Sequence, residues 1–305
     1  MKKITKAKFI LFFFLANLLN SQENLLDQID DNNSEEYTIE ISAFKAPKII
    51  NSQSTKQSNK DELFLYVAHR FGNINGGIRT LFGLDIANTK IELMYGINEK
   101  FQVGFSRESL KKIYSLNLKN KFLEQNASFP FNVSSYFSYN YNSSDFLAPG
   151  DDLSLSQRSL FLFQFLISNR INDKISFQVS PIFIKRNYNQ ERFLFVDGNV
   201  VFEDGLPVQT TFEKSENYAL ALSSSYKLNK RTSINLEYNI NLDRPEISTY
   251  SNALSIGLDL ETGGHVFQLI FSNTQSIDDV SVLLDAEGSW KEGNIFFGFN
   301  ILRVF

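Results

Sequence analysis

The stretch "SINLEYNINLD", residues 233–243, places Ile234, Leu236, Tyr238, Ile240 and Leu242 on one parity and Ser233, Asn235, Glu237, Asn239, Asn241 and Asp243 on the other. Successive side chains of a β-strand point to opposite faces, so this text specifies a strand that is apolar on one side and wet on the other. Two environments accept such a strand. A soluble protein turns the apolar face to a core, whereas a membrane barrel turns it to lipid and keeps the polar face in its lumen.

The same alternation recurs along the chain. Eleven further segments carry it: 62–71, 89–97, 101–107, 112–124, 132–141, 159–170, 175–185, 217–228, 252–260, 265–273 and 294–305. With the opening stretch they make twelve, an even number. The connections alternate in length. Short links "NEK" (98–100), "QNASFPF" (125–131), "NDK" (172–174), "NKR" (229–231) and "ETGG" (261–264) interleave with longer segments such as 72–88, 142–158, 186–216 and 274–293. Outer-membrane barrels show that asymmetry, with short periplasmic turns and longer extracellular loops. The expected fold is therefore an all-β transmembrane antiparallel barrel of about twelve strands over 61–305.

The off-parity residues decide which face is inside. They include Lys90, Glu92, Asn117, Lys119, Lys121, Gln164, Lys227, Asn235, Glu237, Asn239, Asp259 and Gln268, drawn from most of the strands. A soluble barrel of about twelve strands encloses more interior than side chains readily fill, since about eight already give a filled core. Turning the sheet inside out removes the difficulty, and these twelve become the expected lumen lining. Closure is required as well, because an open edge in lipid leaves backbone groups unpaired.

The ends of the chain carry addresses. Lys2, Lys3, Lys6 and Lys8, an apolar run from Phe9 to Leu19, and small polar residues near Ser21 follow the order of a secretory signal peptide, expected over residues 1–21. Its removal takes four Lys from 30 basic residues and none from 34 acidic ones, leaving 26 against 34 and a net charge of −8. No basic concentration points to a nucleic-acid partner. The absence of Cys excludes a disulfide framework and thiolate metal sites. Residues 22–60 are polar and poorly periodic, and are expected to form a periplasmic segment, partly disordered, with one short strand at Tyr37–Phe44. At the other end "NIFFGFNILRVF" stops inside the last strand on Phe305. Such a strand resembles the sorting signal of bacterial outer-membrane proteins, which implies recognition by the barrel-assembly machinery and residence among outer-membrane lipid and lipopolysaccharide.

Chemistry is sparse. His69 and His265, the two histidines, are expected at opposite ends of the barrel, roughly 20 Å or more apart at ~3.3 Å per residue. No HExxH, Cys/His, Gly-x-Ser-x-Gly, GxGxxG or Walker spacing is present, so neither an enzyme nor a cofactor is expected. An outer-membrane phospholipase uses a barrel of this strand number, yet nothing here supplies a serine partner for His69. "HRFGNINGG" (69–77) and "FGLDIAN" (82–88) read as an ordered loop over the barrel mouth, with Arg70 and Asp85 as a rim pair beside His69. The acidic texts "PGDD" (149–152) and "SIDD" (276–279) read as solvated loop charge rather than a divalent-ion site.

"FKAPKIINSQST", "AHRFG", "FGLDIANTKIELMYGI" with "FQVGFSRES", "GGHVFQLIFSNT" and "GFNILRVF", in that order from about residue 44 to 305, resemble an uncharacterised β-barrel family of Gram-negative outer membranes, a domain of unknown function. The resemblance implies fold and location and assigns no substrate, cofactor or catalytic residue. Three roles stay open: a pore for small polar solutes through a lumen of mixed charge; a non-conducting structural or docking barrel, blocked by 22–60 or by the 72–88 loop; and a barrel that handles lipid through loop residues Phe146, Leu147, Leu283, Leu284 and Trp290.

Overall fold

A computed structural model describes residues 42–144, 152–188, 195–196, 199–208, 214–245 and 248–305. The expected signal peptide over 1–21, the segment 22–41 with most of the expected strand at 37–44, and Phe146 and Leu147 lie outside the described residues.

Twelve long strands form one closed barrel. They are β1 (Leu63–Asn73), β2 (Ala87–Gly96), β3 (Phe101–Glu108), β4 (Ile113–Leu123), β5 (Asn132–Asn142) and β6 (Ser159–Arg170). The circuit continues with β7 (Ile175–Arg186), β8 (Glu216–Lys227), β9 (Thr232–Asn241), β10 (Ala253–Thr262), β11 (His265–Ser272) and β12 (Phe296–Val304). Each strand pairs antiparallel with the next, and β12 pairs with β1 from Phe64↔Val304 to Arg70↔Gly298. No sheet edge is left for lipid to desolvate. All twelve segments expected from alternation are strands. The turns β2–β3, β4–β5, β6–β7, β8–β9 and β10–β11 define a short-turn end, and the other links a long-loop end.

The stretch 233–243 supplies nearly all of β9. Ile234, Leu236 and Tyr238 are exposed on the outside, and Asn235, Glu237 and Asn239 are buried inside. The inversion holds around the cylinder, with Ile91, Leu93, Phe105, Leu116, Phe165, Phe177, Leu222 and Phe271 exposed outward. A wall with this polarity is stable when hydrocarbon wets its outer face.

The interior is filled. Residues 42–60, part of the segment expected to be periplasmic or to block the barrel, run inside it as a re-entrant hairpin. They pass the short-turn end, turn within the lumen and return to begin β1. The hairpin is tied by a Lys48↔Gln53 bridge, by Ile49 N–H to the Ser52 carbonyl at 2.9 Å and by Ser54 N–H to the Pro47 carbonyl at 2.8 Å. Helix α1 (Asp279–Leu284), carried by the β11–β12 loop, is buried from the opposite end. Val280, Leu283 and Leu284 pack on the inward Tyr136, Leu162, Leu166, Ile182, Ile184, Ala219 and Ala221. Strands β6 and β7 therefore carry apolar residues on both faces, one set toward lipid and the other toward α1.

Candidate functional site

The lumen is the candidate site, and its geometry starts with the tip of the hairpin. Residues 50–52 expose three successive backbone N–H groups that the hairpin turn leaves without backbone acceptors. Glu237 of β9 supplies the acceptor: its carboxylate takes the N–H of Ile50 at 2.7 Å, of Asn51 at 3.0 Å and of Ser52 at 3.0 Å. Charge-assisted bonds of this kind are among the strongest in a protein. The tip carbonyls are held from strands further along the same arc, Ile49 by Gln268 Nε2 of β11 at 2.6 Å and Ile50 by Asn300 Nδ2 of β12 at 3.0 Å. Asn51 bridges further, donating from Nδ2 to Ser255 Oγ and accepting at Oδ1 from Arg70.

The returning leg is held in the same way. Lys119 of β4 points its ammonium at three carbonyls of the hairpin, those of Pro47, Ser54 and Lys56, at 3.0–3.1 Å. Gln178 of β7 receives Thr55 N–H at 3.1 Å and donates to the Gln53 carbonyl at 2.6 Å, and Gln102 of β3 receives Ser58 N–H at 2.8 Å. At the short-turn end Lys45 pairs with Glu261 at 2.8 Å.

Hairpin and helix meet in a buried charge cluster. The Lys48 ammonium lies 2.7 Å from Asp279 of α1 and 3.7 Å from Glu92, and Lys90 lies 3.5 Å from Glu92 and 3.8 Å from Asp279. Two cations face two anions with side chains at most 5% exposed, so formal charge is balanced where solvation is lost. Tyr136 donates to the second Asp279 oxygen at 2.8 Å. Burial alone would raise the Asp279 carboxyl, but Lys48 and Lys90 overcome it and hold the group far below the usual carboxylate range. The same exchange raises Lys48 above an ordinary lysine, with attraction to Asp279 and Glu92 outweighing burial. A cavity of about 10 Å³ between Asn51, Gln53, Gln164, Asn239 and Asp279 is the size of about one water molecule.

The loop carrying α1 is clasped at its own end. Glu108 accepts the Ile277 N–H at 3.0 Å, Lys111 pairs with Asp285 at 2.6 Å, and Arg244 donates to the carbonyls of Leu283 and Leu284. Asp278 caps α1 by accepting the Ser281 N–H at 2.9 Å, and burial, with Glu108 nearby, pushes its carboxyl up to about 6.

Ten of the twelve expected lumen residues are buried inward: Lys90, Glu92, Asn117, Lys119, Gln164, Asn235, Glu237, Asn239, Asp259 and Gln268. Lys121 and Lys227 are half-buried near the short-turn end, and Lys121 pairs with Glu124 there at 2.6 Å. Arg70 and Asp85 do not form the expected rim pair. Arg70 shares its parity with Tyr66 and Ala68, so it faces inward, wholly buried, and donates to Asn51 and Asn300, while Asp85 stays exposed in its loop. His69, on the outward parity, stacks on Phe299 and hydrogen-bonds Thr89 Oγ1 at 2.9 Å. The 72–88 loop leaves its apolar residues exposed, and the β11–β12 loop is the one that fills the barrel. Asp278 and Asp279 are buried rather than solvated, Leu283 and Leu284 are packed rather than open, and Trp290 donates to the Leu254 carbonyl. Among the described residues no group of three or more His, Cys, Asp or Glu is placed to hold a metal ion.

A closed strand cylinder, apolar outside and filled by its own chain, is a membrane β-barrel with an occupied lumen. The chain belongs to the family described as "Membrane bound beta barrel domain (DUF5777)", whose model matches residues 44–305 and so includes nearly all of the hairpin. No curated protein matches it by sequence. Among solved structures it is similar to the NanC porin, with 8% identity, TM-score 0.47, and 79% of this chain and 98% of that chain covered. An outer-membrane channel from Pseudomonas putida F1 gives 12% identity, TM-score 0.47, and coverage of 82% and 97%. Outer membrane phospholipase A from Escherichia coli gives 12%, 0.38, and 86% and 98%. At such identities and TM-scores no activity passes from those proteins to this one.

Proposed function

We propose that the protein is an outer-membrane barrel with its short turns toward the periplasm, acting as a stoppered channel for small polar solutes. It is closed as described here and opens by withdrawal of residues 42–60. The path of the hairpin carries this reading. Both legs cross the short-turn end, so the hairpin can leave as a unit while every barrel strand stays paired. The wall behind the tip supports the same reading: Asn239, whose Oδ1 accepts from Ser52 Oγ at 3.0 Å, leaves its Nδ2 buried without a hydrogen-bond partner. A permanent packed core selects against such groups, and a surface that is wetted when open tolerates them. Lumenal Lys, Glu, Asp and Asn of mixed sign favour polar solutes with weak ion selectivity.

The density of bonds at Glu237 and Lys119 favours a second reading, a permanently closed structural or docking barrel. Conductance in planar bilayers separates the two. The intact mature chain is expected to be silent, and a chain lacking 22–58 to show open steps, larger when 276–286 is removed as well. Silence of both truncated chains, with the barrel folded, overturns the channel and leaves the structural barrel.

A further inference from the structure

We propose that the berth of the hairpin tip is the solute-binding site of the open barrel, and that its ligand is a short peptide with free ammonium and carboxylate termini. The inference rests on the stoppered-channel reading and adds the solute class to it. Five neighbouring strands, β9, β10, β11, β12 and β1, form one arc of the wall, and each gives the tip one inward side chain. In order around the arc these are Glu237, Ser255, Gln268, Asn300 and Arg70. An anion stands at one end of the row and a cation at the other, with a hydroxyl and two amides between them.

The row holds peptide backbone, and holds it incompletely. Glu237 takes backbone N–H groups, and Gln268 and Asn300 donate to backbone carbonyls. One residue spans the two charges: Asn51 gives its N–H to Glu237 at 3.0 Å and its Oδ1 to Arg70 Nη2 at 2.8 Å. Ile50, Asn51 and Ser52 are all neutral, so neither charge meets its opposite there. Arg70 finds only neutral acceptors, the carbonyls of His69 and Phe299 and the amide oxygens of Asn51 and Asn300. Neither Glu237 nor Arg70 joins an ion pair among the described residues. Both are wholly buried, and Arg70 keeps its Nε buried without a hydrogen-bond partner.

A buried charge is costly without an opposite one. A carboxylate matches the planar guanidinium in paired hydrogen bonds, so it suits Arg70 better than a single amide oxygen does. An ammonium offers Glu237 the N–H donors that the tip supplies and adds the missing charge. A free dipeptide carries both groups, with an amide between them for Gln268 and Asn300. A simple cation or a simple anion satisfies one end of the row and is repelled by the other. The tip is therefore the chain's own stand-in for the solute, alike in backbone and poorer in charge.

Native-state hydrogen exchange of the intact chain tests this. The amides of Ile50, Asn51 and Ser52 exchange when the tip leaves its berth, and a solute that binds the emptied berth multiplies their rates by 1 + [L]/Kd. Glycylglycine is expected to speed exchange at these residues several-fold, rising with its concentration, after correction for intrinsic exchange and with the strand amides of β9 unchanged. N-acetylglycylglycine, which lacks the ammonium, and glycylglycinamide, which lacks the carboxylate, should act much more weakly, and glycerol not at all. Equal acceleration by the capped peptides, or none by glycylglycine, overturns the proposal. Conductance is read separately. Silent truncated chains beside a glycylglycine response remove the channel and keep the site, whereas conducting ones without that response keep the channel and remove the peptide.

Discussion

The Lys48 ammonium stands 2.7 Å from the Asp279 carboxylate, and that contact joins a hairpin inserted from the short-turn end to a helix inserted from the long-loop end. The two plugs are thereby coupled. Lys48→Met leaves Asp279 and Glu92 buried with Lys90 as their remaining close cation. Removing one partner of a buried pair costs ~3–5 kcal/mol, so amide exchange is expected to accelerate in both 45–58 and 276–286. The double variant with Asp279→Asn should fall well short of the summed single effects. Additive effects would show that the plugs are held independently.

Glu237→Gln tests the tip. An amide keeps an acceptor oxygen but loses the charge and turns a donor toward the N–H groups of residues 50–52. A loss of about 2 kcal/mol is expected, the scale of charged hydrogen bonds. It should appear as faster exchange of Ile50, Asn51 and Ser52 with the strand amides of β9 unchanged. Faster exchange across β9 itself would mean that Glu237 supports the wall rather than the hairpin.

Gly257 of β10 leaves room for the hairpin, since a Cβ placed there would come within 3.0 Å of Ile50 Cγ1. Gly257→Leu is expected to displace the tip while leaving the barrel closed. Protease sensitivity within 45–58, appearing without loss of β-sheet circular dichroism, is the readout. A variant as resistant as the parent chain refutes the packing argument.

Asp278 gives the loop a pH dependence. Its carboxyl is pushed up to about 6 from an ordinary 3.8, so the folded state favours the protonated form. The associated stability is complete below the ordinary value and is lost as pH rises through 6, by up to ~3 kcal/mol. Protection of the Val282 and Asp285 amides, corrected for intrinsic exchange, is therefore expected to fall between pH 4 and 7. Asp278→Asn keeps the cap and should flatten the profile. An unchanged slope in that variant assigns the dependence to another group.

Much of the barrel was legible because a wall with lipid on one side and a polar lumen on the other imposes period two on most of its strands. Leu93, Leu118 and Phe267 announce their faces, and their neighbours Glu92, Asn117 and Gln268 announce the lumen. The hairpin was hidden for a physical reason. "KAPKIINSQSTKQS" has no periodicity because its bonds run from backbone to wall side chains such as Glu237 and Lys119, so its own residues carry little of the pattern. Inward Leu162, Leu166, Ile182 and Ile184 left a trace, an apolar run on both parities of β6 and β7, but period-two text alone does not say that a helix lies opposite. Arg70 shares its parity with Tyr66, which puts it inside the wall and away from the exposed Asp85.

The order of synthesis has its own consequence. Ile50 meets Glu237 187 positions later in the chain, and Asn300 250 positions later, so the tip has no complete berth until the last strand has zipped to the first. Contacts so distant in sequence form late. The berth of the tip is therefore finished only when the wall is, so filling the cylinder and closing it depend on the same final pairing of β12 with β1.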